Sequence, residues 1–156
     1  MRHLLIIALC LLPVGALAND QTYFQVRVLA VASDSSPRLP NESGVGRGTL
    51  SVSKSVVLDC RGVRTAMLGE TKDTVFMVIK LTKAASARYS KTTAEMAAKH
   101  LDDLTTKWLA FVIDGVVEEA HLIDKPDSSG VIILTPSMQF EKMEEAVKRM
   151  NAFRGR

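Results

Sequence analysis

The stretch WLAFVIDGVVEEAHLI, residues 108–123, decides how this chain folds. Two apolar runs flank Asp114 and Gly115, and an Asp-Gly pair suits a two-residue hairpin because both central residues must adopt positive φ angles. The pattern therefore predicts a strand over Trp108–Ile113, a tight turn, and a returning strand over Val116–Ile123. An antiparallel hairpin is thus the centre from which the rest of the chain is interpreted.

Further strands are predicted on both sides of this hairpin. Alternating or continuous apolar residues mark four segments, which are Tyr23–Ala32, Thr49–Leu58, Thr74–Leu81 and Val131–Leu134. The third is the most apolar of them and suits an inner position in a sheet. Between the first two, Ser33–Gly48 is rich in Ser, Pro, Asn and Gly, which predicts a loop.

Two helices and a helical turn complete the pattern. Thr82 can cap a helix over Lys83–Lys107, in which apolar residues recur at spacings of three and four. Gln139–Phe153 has a similar stripe and predicts a second helix. Asp59 can cap a short helical turn over Cys60–Met67. Strands and helices mixed in this way predict the α+β class, with an antiparallel sheet that carries helices on one face.

Residues 1–18 have the composition of a secretory signal peptide. Arg2 supplies a basic start, Leu4–Leu12 is apolar, and Ala16 and Ala18 are the small residues that a signal peptidase requires. The apolar run is shorter than the roughly 20 residues that span a bilayer. We expect cleavage after Ala18, which would leave a single periplasmic domain over residues 19–156 without an integral membrane anchor. Retention of the signal as an anchor is the alternative.

Charge and cysteine content exclude several classes of protein. Without Arg2, 19 of the 20 lysines and arginines remain against 17 acidic residues, and they are scattered, so we expect no nucleic acid partner. Cys10 lies inside the apolar run and follows Leu9 rather than a small residue, which argues against a lipoprotein. After cleavage only Cys60 remains, and a lone cysteine forms no internal disulfide.

Cys60, His100 and His121 are the candidates for chemistry. A thiol near a helix start can become nucleophilic, and Glu119 shares a strand face with His121, as an acid–base or metal-binding pair would require. Two ligands fall short of the three or four that zinc sites use. A half-buried core position for His100 and a solvated strand face for Glu119 and His121 are the plainer interpretations. We therefore predict no catalytic, cofactor-binding or metal-binding residues and no cofactor.

From Val57 onward the order of motifs is that of a known family. The motifs are VLDCRGVRTA at 57–66, VIKLT at 78–82, ASARYSKTT at 85–93, LAFVIDGVVEEA at 109–120 and FEKMEEA at 140–146. In this order they resemble the head subdomain of the first periplasmic region of the SecDF protein-export membrane proteins, here without transmembrane helices. The chain departs from the family at Thr135–Met138, where the family commonly has a Gly-Gly pair.

The resemblance implies a ferredoxin-like α+β head in the periplasm, without catalytic residues. It predicts an interaction module that contacts exported polypeptide or an envelope protein through a sheet edge or an apolar groove. Two other hypotheses stay open at this point. One is a small secreted hydrolase or metal-binding enzyme that uses Cys60, His100 or His121, and the other is a structural or regulatory partner of a membrane complex.

Overall fold

The structure is a computed structural model that describes residues 23–33, 35–99 and 106–153. Its strands are β1 Phe24–Leu29, β2 Arg38–Pro40, β3 Thr49–Asp59, β4 Val63–Glu70, β5 Val75–Leu81, β6 Trp108–Ile113, β7 Val116–Leu122 and β8 Val131–Leu134. The helices are α1 Lys83–Ala97 and α2 Phe140–Phe153, and a 3₁₀ turn covers Cys60–Gly62. Neither helix is long and apolar enough to cross a membrane, within the part of the chain described. The predicted signal peptide and its cleavage site lie outside the described residues.

The named strands pair antiparallel in two sheets. One sheet has the order β2-β3-β1-β6-β7 and the other the order β4-β5-β8. The α+β class is confirmed, whereas the strands that we predicted in one sheet divide between two. The division arises at the 3₁₀ turn, because Cys60–Gly62 separates the long strand β3 from β4 and redirects the chain into the second sheet.

The hairpin predicted from the Asp-Gly pair is present as β6 and β7. Asp114 and Gly115 have φ angles of 51° and 81°, and Ile113 pairs with Val116 on either side of them. The register shifts once, between Phe111 and Val112, so that Glu118 is an extra residue in β7. Such a β-bulge interrupts the alternation of faces along a strand.

Both sheets and both helices contribute to one main core. Phe24, Leu109 and Phe111 come from the five-stranded sheet, and Met77 and Ile79 come from the three-stranded sheet. The helices add residues that include Tyr89, Met96, Met143 and Met150. Burial of a large apolar side chain contributes about 1.5–3 kcal/mol. The main core therefore holds the two sheets together.

A smaller core lies against the other face of the five-stranded sheet. Its buried members are Leu29, Val52, Ala110, Val112 and Val117. The sheet closes around them, because Asn41, just after β2, forms a bridge with Val117 in β7, at the opposite end of the strand order. The N–H of Glu42 also donates to the carbonyl of Val117 at 2.9 Å. This sheet is thus buried on both faces.

The strand β4 corrects the prediction of a helical turn over Cys60–Met67. Asp59 does cap a turn, and its carboxylate accepts the N–H of Arg61 at 3.0 Å, but the turn ends at Gly62. The next eight residues pair with β5, which places Ala66 in the core and leaves Met67 outside. Pairing with an apolar strand outweighs the helix propensity of these residues.

Two other boundaries also differ from the prediction. The strand β2 lies inside the predicted loop, as a short edge strand that ends at Pro40, where the missing N–H is tolerated. Thr82 caps α1 by accepting the N–H of Ala85 at 3.3 Å, but α1 ends at Ala97 rather than Lys107. Buried Lys107 instead donates through Nζ to the carbonyl of Ala97 at 3.4 Å, where the helix dipole favours a cation.

The outer edge of β4 is protected by a side chain of α2. The amide nitrogen of Asn151 donates to the carbonyl of Ala66 at 2.8 Å, and its amide oxygen accepts the N–H of Ala66 at 2.9 Å. One side chain therefore satisfies both backbone groups of Ala66, as a neighbouring strand would. Exposed edges of this kind otherwise invite pairing with another chain.

Candidate functional site

Cys60 lies in the main core and is 1% exposed. Its sulfur accepts the N–H of Phe24 at 3.2 Å and lies 3.7 Å from the carbonyl oxygen of the same residue. Burial raises the pKa of the Cys60 thiol, and the charge of Asp59 acts in the same direction, although hydrogen bonds from the backbone oppose them. A thiol with a raised pKa is a poor nucleophile, because the thiolate is the reactive form.

Glu119 and His121 do lie together on β7, as their strand spacing predicted. The Oε1 atom of Glu119 is 2.5 Å from Nε2 of His121, and its Oε2 atom accepts the N–H of Thr135 at 2.5 Å. The imidazole also lies against Phe111, with the ring centroids 4.7 Å apart. Both side chains are partly buried. The predicted solvated strand face is therefore partly buried, and the pair links β7 to the end of β8.

Among the described residues, no hydrogen bond joins Cys60 to His121. His100 lies outside the described residues, so its predicted half-buried position stays a prediction. Within residues 23–33, 35–99 and 106–153, no group of three or more His, Cys, Asp or Glu side chains is arranged to hold a metal ion. The buried thiol and the Glu119–His121 link do not favour the enzyme alternative.

A groove lies between β7 and α2, beside the hairpin turn. Two adjoining cavities of about 340 and 370 Å³ share Val116, Glu118, Met138 and Lys142 in their walls. The first extends past the end of β2, and the second extends to the hairpin turn. Their other lining residues are Pro40, Glu42, Ser137 and Gln139 in the first, and Ile113, Asp114, Glu145 and Arg149 in the second. We call this surface the β7–α2 groove.

Glu118 is the shared carboxylate of the β7–α2 groove and is 9% exposed. The β-bulge explains its position, since Val117 before it belongs to the small core while Glu119 after it points toward the main core. No hydrogen bond or ion pair joins Glu118 to another described residue. Burial raises the pKa of Glu118; Glu42 and Asp114 add to the rise, and Lys142 opposes it.

Arg149 fixes one end of the groove. Its guanidinium forms an ion pair with Asp114 in the hairpin turn, lies 3.7 Å from the carboxylate of Glu145, and lies 4.5 Å from the ring centroid of Tyr23. Burial alone would lower the pKa of Arg149, but the contacts with Asp114 and Glu145 raise it above its ordinary value. This cation is therefore engaged in holding the turn against α2.

The charges along the groove do not balance. Four carboxylates line it, from Glu42, Asp114, Glu118 and Glu145, whereas Lys142 and Arg149 are its two cations. Arg149 is engaged with Asp114 and Glu145, which leaves Lys142 as the cation that acts on Glu118. At neutral pH the groove is electronegative. A surface of this kind raises the local concentration of cations.

Comparison with known proteins identifies the fold. No family model and no curated protein sequence matches this chain. Among solved structures, the chain matches a crystal structure of SecDF in a super-membrane-facing form with a TM-score of 0.63. It also matches a structure of the membrane component SecDF that enhances protein export, with a TM-score of 0.58. The chain has a SecDF-like fold.

The SecDF-like fold covers most of this chain but only part of its matches. In both comparisons 83% of the chain is covered at 12% sequence identity. The chain spans 18% of the first SecDF chain and 61% of the second. The resemblance predicted from the order of motifs is thus confirmed at the level of the fold. At this identity the similarity establishes the fold alone.

Proposed function

We propose that this chain is a protein-export-related module that binds extended polypeptide in the β7–α2 groove. The SecDF-like fold is the observation that carries this proposal, because one of the matched proteins is a membrane component that enhances protein export. A module with that role meets polypeptide chains in an extended form, whose side chains need a surface that is partly apolar and partly polar. The groove offers such a surface.

The walls of the groove suit an extended segment. Pro40, Val116 and Met138 supply apolar area, and polar groups from β7 and α2 lie between them. The two cavities adjoin and share four wall residues, so a segment that crosses both would run from the end of β2 to the hairpin turn. Grooves of this type combine apolar pockets with a few polar groups that fix the orientation of the ligand.

The proposal includes the location of the protein. We infer that residues 1–18 direct export, that cleavage follows Ala18, and that the domain works in the periplasm, as the basic start and short apolar run of the N-terminus support. Mass spectrometry of the protein recovered from the periplasm should show a chain that begins at Asn19. A chain that still begins at Met1 would contradict the cleavage site.

Photocrosslinking tests the proposed site directly. A photoreactive amino acid at Gln139, on the exposed rim of the groove, should form adducts with a labelled polypeptide that is permanently unfolded, and few with the same polypeptide when it is folded. The matched control carries the photoreactive group at Lys54, which is exposed on β3 and does not line the groove. Equal labelling at the two positions, or none at Gln139, would count against binding in the groove.

A further inference from the structure

Resting on the proposed function, we propose that the β7–α2 groove selects polypeptide segments that carry a lysine or arginine. Glu118 is the carboxylate that forms an ion pair with the basic side chain. The proposal thus assigns a specificity residue and a class of ligand to the groove.

The first argument is the environment of Glu118. Buried carboxylates in folded proteins are almost always hydrogen-bonded or paired with a cation, because removal from water otherwise costs free energy. Glu118 is 9% exposed and has neither kind of partner among the described residues, and it lines both cavities of the groove. The Glu118 side chain is thus mostly enclosed, but its carboxylate oxygens stay accessible from the groove, where a cation of a ligand can pair with them.

The second argument is the arrangement of charges around Glu118. Glu42 and Asp114 are near enough to disfavour its ionised form, and Lys142 is the cation that favours it. Arg149 is already engaged with Asp114 and Glu145. A cation that enters from a ligand would therefore meet an excess of negative charge. The same negative charge would repel an anionic ligand, and Lys142 would be the groove cation that attracts it.

The third argument is the shape of the basic side chains. Lysine and arginine bury an aliphatic stem along apolar surface while their charged end reaches a polar group. Pro40, Val116 and Met138 supply such surface beside Glu118. A neutral side chain of the same length would gain the apolar contacts without the ion pair. The difference between these two ligands isolates the contribution of Glu118.

Peptide binding measures this difference. The probes are two labelled, extended peptides that are identical except at one central position, which is lysine in one and norleucine in the other. We expect the full chain to bind the lysine peptide about tenfold more tightly in a fluorescence anisotropy titration. The preference should disappear in Glu118→Gln and persist in Glu141→Gln, since Glu141 is exposed on α2 and does not line the groove.

Substitution of Lys142 provides a second variant, for which the expected change in affinity is opposite to that of Glu118→Gln. Lys142→Gln removes the cation that competes with the ligand, so the affinity for the lysine peptide should rise severalfold. Weaker binding of the lysine peptide to this variant, or stronger binding of a matched glutamate peptide to the unaltered chain, would show that the groove prefers anions and would overturn the proposal. Circular dichroism on each variant confirms that the fold is retained.

The outcomes separate this proposal from the one on which it rests. Equal affinities of the lysine and norleucine peptides for the unaltered chain would refute selection by charge and leave polypeptide binding intact. A preference that survives in Glu118→Gln would likewise refute the role of Glu118. If neither peptide binds, the proposed function fails as well.

Discussion

The two sheets of this protein have similar apolar patterns but are covered differently. The five-stranded sheet is buried on both faces, by the main core on one side and by the small core on the other. The three-stranded sheet has its inner face in the main core, while Met67, Val78 and Ile133 lie in register across its outer face. Met67 is 41% exposed and Ile133 is 55% exposed.

The number of strands explains why the two sheets are covered differently. Five strands are enough for the sheet to curve until Asn41 meets Val117, which buries a second face and protects the two end strands. Three strands cannot close in this way, so the second sheet depends on the helices for one face and on Asn151 for its β4 edge. The stability of the fold should therefore depend far more on the first sheet than on the outer face of the second.

The largest expected effect tests this difference directly. Phe111→Ala removes a fully buried ring from the five-stranded sheet and should lower the free energy of unfolding by about 3–5 kcal/mol. Ile133→Ala on the exposed outer face should lower it by less than about 1 kcal/mol. Urea denaturation followed by circular dichroism measures both values. Similar losses for the two variants would show that the outer face is covered in solution.

An intermediate effect is expected at the protected edge of β4. Asn151→Ala leaves the N–H and the carbonyl of Ala66 without the amide and should lower the free energy of unfolding by about 1–2 kcal/mol. Lys148→Ala, at an exposed position on the same helix, serves as the control and should change it by less than about 0.5 kcal/mol. If the two substitutions are equally mild, the contact of Asn151 with β4 does not stabilise the fold.

The smallest effect has the opposite sign and concerns β7. Burial, with Glu42 and Asp114, raises the pKa of Glu118 in the folded protein, so its contribution to stability is present below the unfolded pKa and is lost as the pH rises through the folded pKa. The charged carboxylate therefore destabilises the fold at neutral pH. At neutral pH, Glu118→Gln should therefore raise the free energy of unfolding. The gain should be smaller than the losses expected for Phe111→Ala and Asn151→Ala.

The gain should depend on pH. It should shrink as the pH falls toward about 4, because the unaltered carboxylate then becomes neutral too. Thermal unfolding of Glu118→Gln across this range provides the measurement, and Glu141→Gln provides the matched control for a change in surface charge. A variant that is less stable than the unaltered chain at neutral pH would indicate that Glu118 is a structural residue rather than one reserved for a ligand.

Local signals in the sequence predicted much of this fold. The Asp-Gly turn, the cap at Thr82 and the cap at Asp59 are each encoded within a few residues, and the structure has all three. The inner position predicted for the apolar run Thr74–Leu81 is also confirmed, since β5 lies between β4 and β8. Short-range chemistry is sufficient for such features because it does not depend on the rest of the molecule.

Features that depend on distant partners were not predicted. The residues of β4 have side chains compatible with a helix, and only pairing with β5 makes them a strand. The division into two sheets depends on where the chain turns at Cys60–Gly62, and β2 forms in a loop-like sequence because β3 and β7 lie beside it. None of these relations leaves a periodic pattern in the sequence.

The candidate site was predicted less well than the fold. The sequence shows Glu118 only as the neighbour of Glu119, and strict alternation would put these two side chains on opposite faces. A single-residue bulge changes that arrangement, and the burial of Glu118 depends on α2 and Met138, which are distant in sequence. Cys60 and His121, which the sequence offered only as candidates, lie in or beside the main core.

The position of Asn151 has a consequence for the order in which the protein matures. A chain is synthesised from its N-terminus, and α2 is the last element described. Until α2 has emerged and packed, the β4 edge at Ala66 lacks its partner amide and can pair with a strand from another molecule. The last helix described therefore protects the β4 edge only late in synthesis, and we expect truncation before it to give a product prone to association.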